Sequence, residues 1–474
     1  MPNRLFEVFH PSSRIFHLCI AMRYLWLILT TLLLSAGCAT HADRLREVRT
    51  EFYQGSVETA SIRLDKYINS YPREAEAFKL DRAVVELAAG RPKDAEKLLR
   101  EARDALDYNS QASLAEKAGS MLTDDTHTAY AGEDYEKVLV RAMLAISNLM
   151  NGGADATAYA LQVSDMQERI IASGAEGAQQ NPKLSYKRVA LGEYIHGTIN
   201  EASRIDYIEA AQRYTKVCSW EPSFPYGRYD VERAMHGHHS QQGNGVLYVF
   251  ALVGRGPYKE ETVEVAATIS MFAASAIVNS TANHSIPPSV APIKVPKVVV
   301  YHNPMNSVFV SADGRPVGPT ATITDVGKLA VEQYQAIYPR VVVRAVVRRA
   351  AKEGIMYGAK EALKMQNNSW ANLAADVGGI VWEGVESADC RCWGLLPDRI
   401  QVLRVEMPAG DHQIHLHPDG GFGGLLGADT SVHIDAGRNT YLMGVFADGH
   451  PIGKLLSSSG PAPPAMPAVR LAGR

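Results

Sequence analysis

The sequence predicts an α+β protein: an N-terminal array of helical hairpins, then a mixed α/β region, then a small C-terminal β-sandwich. Three observations predict it. Between residues 43 and 222 the chain is rich in Ala, Leu, Glu, Arg and Lys, poor in Pro, and free of strand-like alternation. At Gly245 the pattern changes to short apolar runs bounded by glycines, and past Asp389 it becomes regular alternation broken by Pro-Ala-Gly and Ala-Gly turns. A length of 474 residues has room for these units at roughly 100–200 residues per domain.

Hydrophobic residues make up 46% and charged residues 21%, an ordinary globular balance that excludes wholesale disorder. A formal net charge of -3 argues against a chain built around nucleic-acid phosphates, so any electrostatic site is local. The five cysteines, at 19, 38, 218, 390 and 392, do not make a disulfide framework. In an oxidising compartment Cys218, Cys390 and Cys392 have three possible pairings, each leaving one thiol over.

The N-terminus carries an address. Tyr24 to Leu34 reads YLWLILTTLLL, 11 residues preceded by Arg23 and followed by Ser35, Ala36 and Gly37, the anatomy of an export signal. A membrane-crossing helix needs roughly 20 apolar residues, so this run is too short once His41, Asp43 and Arg44 follow. Leu34-Ser35-Ala36-Gly37-Cys38 resembles the bacterial lipobox, whose cysteine thiol is diacylglycerylated and becomes the mature N-terminus. The resemblance implies that residues 1–37 are removed, that Cys38 is lipidated and that residues 38–42 form its tether. Acyl chains at about 0.8 kcal/mol per buried CH₂ would then hold the body on a membrane. Ala39 stands where Asp resembles an inner-membrane retention signal, which implies sorting to the outer membrane with a periplasm-facing body. Without lipidation, Cys38 is an ordinary residue after a cleaved secretory signal. Glu7, His10, Pro11 and His17 suit the start of a signal poorly, so translation from Met22 is the alternative to Met1.

Repeats organise residues 43–222. Gly55, Ala60, Leu64, Tyr67 and Pro72 stand at offsets 0, 5, 9, 12 and 17, and Gly90, Ala95, Leu99 and Ala102 repeat the first four offsets 35 residues later. A glycine ends one helix, a small alanine lets the next pack closely, a large residue fills the groove, and a proline stops the hairpin. The spacing resembles the tetratricopeptide repeat. Tyr135, Leu139, Ala142, Ile146, Gly153 and Ala158 suggest a third unit, and Ala210, Tyr214, Val217 and Pro222 a fourth. Gln162 at a large apolar position, and long linkers at 107–131 and 172–186, make the array degenerate; a plain helical bundle is the alternative. Stacked hairpins present a concave surface suited to a peptide or protein segment.

A mixed α/β domain is expected over 245–398. Val246 to Val253, VLYVFALV, is a buried strand, closed by the turn Gly254-Arg255-Gly256-Pro257. Neither a Walker spacing nor a full dinucleotide fingerprint accompanies Gly254 and Gly256, so a tight turn is preferred to a phosphate cradle. Val263 to Val278 reads as a buried helix, Pro287 to Pro296 as a linker, and 297–301 and 307–310 as short strands. A long helix over Thr324–Leu363 places Arg340, Arg344 and Arg348 on one face. That stripe is a candidate anion-binding site, or else a solvated face paired with acids of its own domain. Val341, Val342, Val343, Val346 and Val347 would bury the opposite face. Over 399–456 strands at 400–407, 412–417, 431–435 and 440–446 read as hairpins of a β-sandwich, similar to short envelope-associated β-domains, and 457–474 reads as a disordered tail.

Cys390-Arg391-Cys392 places two thiols on one face of an extended segment. They are read as structural or disulfide-linked cysteines, with a redox pair as the candidate chemistry. Zinc would need two further ligands, and neither His236, His238 and His239 nor His412, His415 and His417 lie in a register that supplies them, so no metal is expected. No H-E-x-x-H, G-x-S-x-G or nucleotide-binding loop occurs, so neither a common enzyme nor a cofactor is expected. The order of lipobox, helical repeats, the LTDD…GEDYEKVLVR segment at Leu122–Arg141, GRGP, the Arg-bearing helix, ADCRCWGLLP at Ala388–Pro397 and the β-tail resembles a widespread family of uncharacterised proteobacterial outer-membrane lipoproteins. Where such relatives carry Thr or Ser in the last motif, this chain has Cys390 and Cys392. The expected function is a scaffold in the cell envelope, for cell-wall synthesis or secretion. It would dock another envelope protein in its repeat groove and engage the membrane through lipid, without nucleic acid. The alternative is a binder or enzyme acting on cell-wall glycan or peptide, with the arginine stripe or the histidine strand at its site.

Overall fold

Helix formation starts at Thr40, whose hydroxyl oxygen accepts the Asp43 N–H (3.3 Å) while the Asp43 carboxylate accepts the Thr40 N–H (3.0 Å). This reciprocal cap satisfies two donors that the first turn leaves without partners. The computed structural model describes residues 40–115, 128–174, 181–264, 292–362, 387–419 and 427–459, and the side chains of all of these except 112–115 and 350–362. The signal segment, Cys38, the helix expected over most of 263–278 and nearly all of the tail lie outside the described residues.

Among the described residues, nine α-helices follow one another: α1 (His41–Tyr53), α2 (Val57–Ser70), α3 (Ala75–Ala89), α4 (Pro92–Ala115), α5 (Asp134–Met150), α6 (Ala156–Ser173), α7 (Leu191–Ser203), α8 (Tyr207–Trp220) and α9 (Gly227–Met235). Each packs mainly on its neighbours in the chain. Gly55 and Gly90, at φ +81° and +87°, end α1 and α3 in the left-handed conformation that favours glycine. Ala60, Leu64, Ala95, Leu99 and Ala102 are fully buried between helices, as their spacing predicts. The third unit departs from the expected offsets: Ala158 is exposed, and Ala156, Tyr159 and Ala160 bury that face of α6 instead. Gln162 is tolerated at its half-buried position because its side-chain oxygen accepts a hydrogen bond from Arg103 (3.2 Å).

The strands are β1 (Asn244–Val253), β2 (Tyr258–Glu264), β3 (Ile293–Val299), β4 (Val308–Ala312), β5 (Arg315–Pro319), β6 (Ala321–Asp325), β7 (Arg399–Pro408), β8 (Gly410–Pro418), β9 (Ala428–Ile434), β10 (Asn439–Ala447) and β11 (His450–Ser457); a tenth helix, α10 (Val326–Ala362), lies between β6 and β7. They form sheets of order β11-β10-β1-β7-β6 and β5-β4-β8-β9, and a two-stranded ribbon β2-β3. The protein is thus α+β. Strand β1 runs parallel to β10 and antiparallel to β7. A strand covered on both faces needs a continuous apolar run, which is why VLYVFALV does not alternate. Val246, Tyr248, Phe250 and Leu252 face the helices, and Leu247, Val249, Ala251 and Val253 meet Val308, Val310, Ile414, Leu416, Val432 and Ile434 of the four-stranded sheet. All eight residues of the Val246–Val253 run are 0% exposed. At about 1.5–3 kcal/mol for a fully buried large apolar side chain, the strand contributes on the order of ten kcal/mol.

That pairing joins segments expected to be separate. The division between 245–398 and 399–456 falls within one sheet, because β1 comes from the first segment and both its partners come from the second. Alternation and turns along β7 to β10 reveal strands but not the partner that lies between them.

The array and the sheet share one apolar core, and the first helix of each hairpin faces the C-terminal half. On α1, Leu45 lies against Gly394 and Arg49 donates to the Gly394 and Gly256 carbonyls. On α3, Asp81 accepts the Leu395 N–H (2.7 Å) and Ala88 abuts Gly453. On α5, Glu136 accepts the Trp393 N–H (2.7 Å), and on α7 the Thr198 carbonyl accepts from the Asn439 amide (2.9 Å). The face expected to receive a partner is therefore covered by the chain's own residues 393–396 and its central sheet. Among the described residues no helix is long and apolar enough to cross a membrane.

Candidate functional site

Four pieces of chain enclose a cavity of about 300 Å³: residues 128–133 ahead of α5, the β2-β3 ribbon, α10, and residues 388–391. Its walls carry five cations, Lys259, Lys294, Arg344, Arg348 and Arg391, and two carboxylates, Glu133 and Asp389. Tyr130 and Tyr334 add ring surface.

Local structure places each group. Alternation along β2 turns Lys259 into this cavity and leaves Tyr258 and Glu260 on the other side of the ribbon. On α10, Val341, Arg344, Ala345 and Arg348 recur at three- and four-residue steps, so one stripe lines the wall. Val342, Val346 and Val347 are buried in a cluster with Ile293 and Val295 of β3. The ADCRC segment is strapped down by the Ala388 N–H donating to Glu261 (2.8 Å) and by the Arg391 guanidinium. That guanidinium donates to the Thr128 carbonyl (2.7 Å), the Arg73 carbonyl (3.0 Å) and Asp389 (2.7 Å to Oδ2).

Lys259 and Asp389 are held in their ionised forms. Burial by itself would lower the Lys259 pKa, but the Glu133 carboxylate it contacts and the nearby Asp389 outweigh burial and raise it. Burial would raise the Asp389 pKa, but the Arg391 hydrogen bonds and charge, with Lys259, hold it down at about 2. The lining thus carries three more formal positive charges than negative ones at neutral pH. A carboxylate or phosphate entering the cavity meets fixed guanidinium and ammonium donors, the groups that form short charge-assisted hydrogen bonds with such anions.

The structure sorts the residues singled out in the sequence. Arg344 and Arg348 join the cavity, whereas Arg340, one turn earlier, is exposed and not part of its lining. Arg340 and Arg344 are exposed, whereas Arg348 is only 7% exposed, so the stripe runs from solvent into the cavity wall. Cys218, Cys390 and Cys392 are all free thiols, which excludes the disulfide among them. Burial pushes Cys390 up to about 12 and, with the Glu136 carboxyl nearby, pushes Cys392 up further. Both thiols are therefore protonated at neutral pH, and neither lines the cavity.

The histidines lie elsewhere. His412 pairs with Asp313 (2.7 Å) and His415 with Asp429 (2.7 Å), while His417 stacks on His415 and Phe309 in the four-stranded sheet. His239 hydrogen-bonds Asn439 (2.8 Å), and His236 and His238 are exposed. Among the described residues no group of three or more His, Cys, Asp or Glu could hold a metal.

Sequence reasoning missed Lys259, Lys294, Glu133 and Asp389. Lys259 stands two residues after the GRGP turn, Glu133 is the second residue of the singled-out GEDYEKVLVR run, and Asp389 and Arg391 flank Cys390, yet nothing in their spacing shows that the four segments meet. No protein-family model matches the chain, and comparisons with curated proteins and with solved structures find no match.

Proposed function

We propose that the protein is a lipid-anchored, periplasm-facing outer-membrane lipoprotein that acts by binding, as an interaction scaffold of the cell envelope. Its helices form a degenerate tetratricopeptide-like array with a β-sandwich packed in the groove. The recognition site is then the basic cavity rather than the groove, and the occupant is an acidic segment of another envelope component. The single observation that carries this reading is the convergence of Lys259, Lys294, Arg344, Arg348 and Arg391 on one cavity. A volume of about 300 Å³, at the small end of ligand sites, equally favours a second occupant, a carboxylate-bearing cell-wall peptide or glycan fragment.

Fluorescence titration of the intact protein with labelled acidic peptides and with solubilised cell-wall fragments separates the two occupants. Lys294→Glu and Arg344→Glu are expected to weaken the bound class at least tenfold, about 1.4 kcal/mol, and added salt is expected to do the same. Binding unchanged by both reversals would count against the cavity. Cys38→Ser tests the anchor independently, by moving the protein from the membrane fraction to the wash.

A further inference from the structure

A second, smaller cavity of about 190 Å³ opens at the start of α1, on the opposite side of the β2-β3 ribbon from the basic cavity. Ala42, Arg46 and Arg49 of α1 form one wall, and Arg255, Tyr258 and Tyr301 form much of the rest. The Arg49 guanidinium lies 4.8 Å from the Tyr258 ring centre and 5.3 Å from that of Tyr301, and Arg255 lies 5.7 Å from Tyr301. Tyr258 and Tyr301 stack at 5.4 Å. Arg46 is exposed, and Tyr301 in the cavity wall is 41% exposed. An exposed guanidinium and a partly exposed phenol ring at one mouth set a cation beside an apolar ring face.

Chain length says what this surface faces. The capping box fixes α1 at Thr40, and Cys38 is two residues earlier, so at about 3.8 Å per residue the two Cα atoms are at most about 8 Å apart. Ala42 in the cavity wall is only about 3 Å further along the helix axis. The polar headgroup layer of one leaflet is about 5–8 Å thick. An acylated Cys38 therefore brings the mouth of this cavity to headgroup depth, with no long tether to carry it away.

We propose that this mouth binds the phosphate of an anionic phospholipid, so that the body sits on the membrane in one orientation instead of swinging from its anchor. Tyrosine favours the interface because its ring is apolar and its hydroxyl polar, and arginine offers paired donors to phosphate. Glu260 also lines the cavity, where its carboxylate accepts the Tyr258 hydroxyl (2.8 Å), Arg46 is 3.4 Å from Asp43, and Arg255 is paired with Asp448 (3.0 Å). The headgroup thus adds a partner to guanidiniums already oriented. The proposal rests on lipidation at Cys38.

The test is hydrogen exchange of the mature, acylated protein in vesicles of phosphatidylcholine alone or mixed with phosphatidylglycerol. Segments 42–50 and 299–302 are expected to exchange about tenfold more slowly in the mixed vesicles, and Arg46→Glu and Tyr301→Ala to abolish the difference at unchanged melting temperature. Equal exchange in both vesicles, with the protein still membrane-bound, overturns the headgroup site and leaves the anchor standing. Protein that washes off every vesicle overturns the anchor itself. Equal protection by inorganic phosphate in phosphatidylcholine vesicles overturns the lipid as the source of the phosphate.

Discussion

At the scale of single residues, buried charge and buried thiols decide what the ADCRC segment can do. Cys392 is fully buried, and burial pushes Cys390 up to about 12. Thiol reagents at neutral pH are therefore expected to label the half-buried Cys218 first and Cys390 and Cys392 only on unfolding; rapid labelling of all three in the native state would contradict this. Asp389 gives a pH signature. Its folded pKa of about 2 lies below the ordinary value of 3.8, so its stabilising effect is complete above pH 4 and is lost as pH falls towards 2. Denaturation midpoints measured across that range should fall, and Asp389→Asn should flatten this part of the profile at the cost of lower stability near neutrality. Trp393 is fully buried with its indole N–H unpartnered. Trp393→Ala is expected to cost about 3–5 kcal/mol, whereas Trp393→Phe removes the orphan donor as well as volume and should cost well under half of that. None of these environments could be read from the sequence: the CRC spacing suggested thiol chemistry, and only the burial imposed by packing against other segments keeps the thiols protonated.

At the scale of elements, the sequence was most legible where one residue type serves one backbone need. Gly55 and Gly90 end helices, Ala60 and Ala95 sit between them, and the turns at Pro408-Ala409-Gly410 and Ala436-Gly437 separate strands as expected. Legibility failed at Ala158, because periodicity fixes a helix face only to within a residue or two, and at the separation of 245–398 from 399–456. The joint between α3 and β11 was also invisible. There Gly453 has φ +72°, and a Cβ on it would overlap the Ala88 carbonyl oxygen; Gly314 has a similar φ of +73° with open space around it. Gly314→Ala should cost about 1–2 kcal/mol for the left-handed backbone alone, and Gly453→Ala about 2–4 kcal/mol because the helix must also move. Equal losses in denaturant melts of the two variants would show that α3 and β11 are not in close contact.

At the scale of the whole molecule, α+β composition and the helix-then-strand order were legible, but the relation between the halves was not. A repeat array suggests an open groove, yet Arg49, Asp81 and Glu136 of successive first helices hold backbone groups of Gly394, Leu395 and Trp393, and β1 completes its sheet only with β7 and β10. Such a molecule should unfold as one unit, and a chain ending at residue 398 should show no cooperative transition, since β1 would lack both partners. The same closure makes the basic cavity the place to look for a partner. A photoreactive residue placed in cells at Lys294, on the cavity wall, or at Ile62, 72% exposed on α2, tests this most directly. The expected result is a crosslinked envelope component from position 294 that disappears with Arg344→Glu, and none from position 62; capture from position 62 alone would contradict the account.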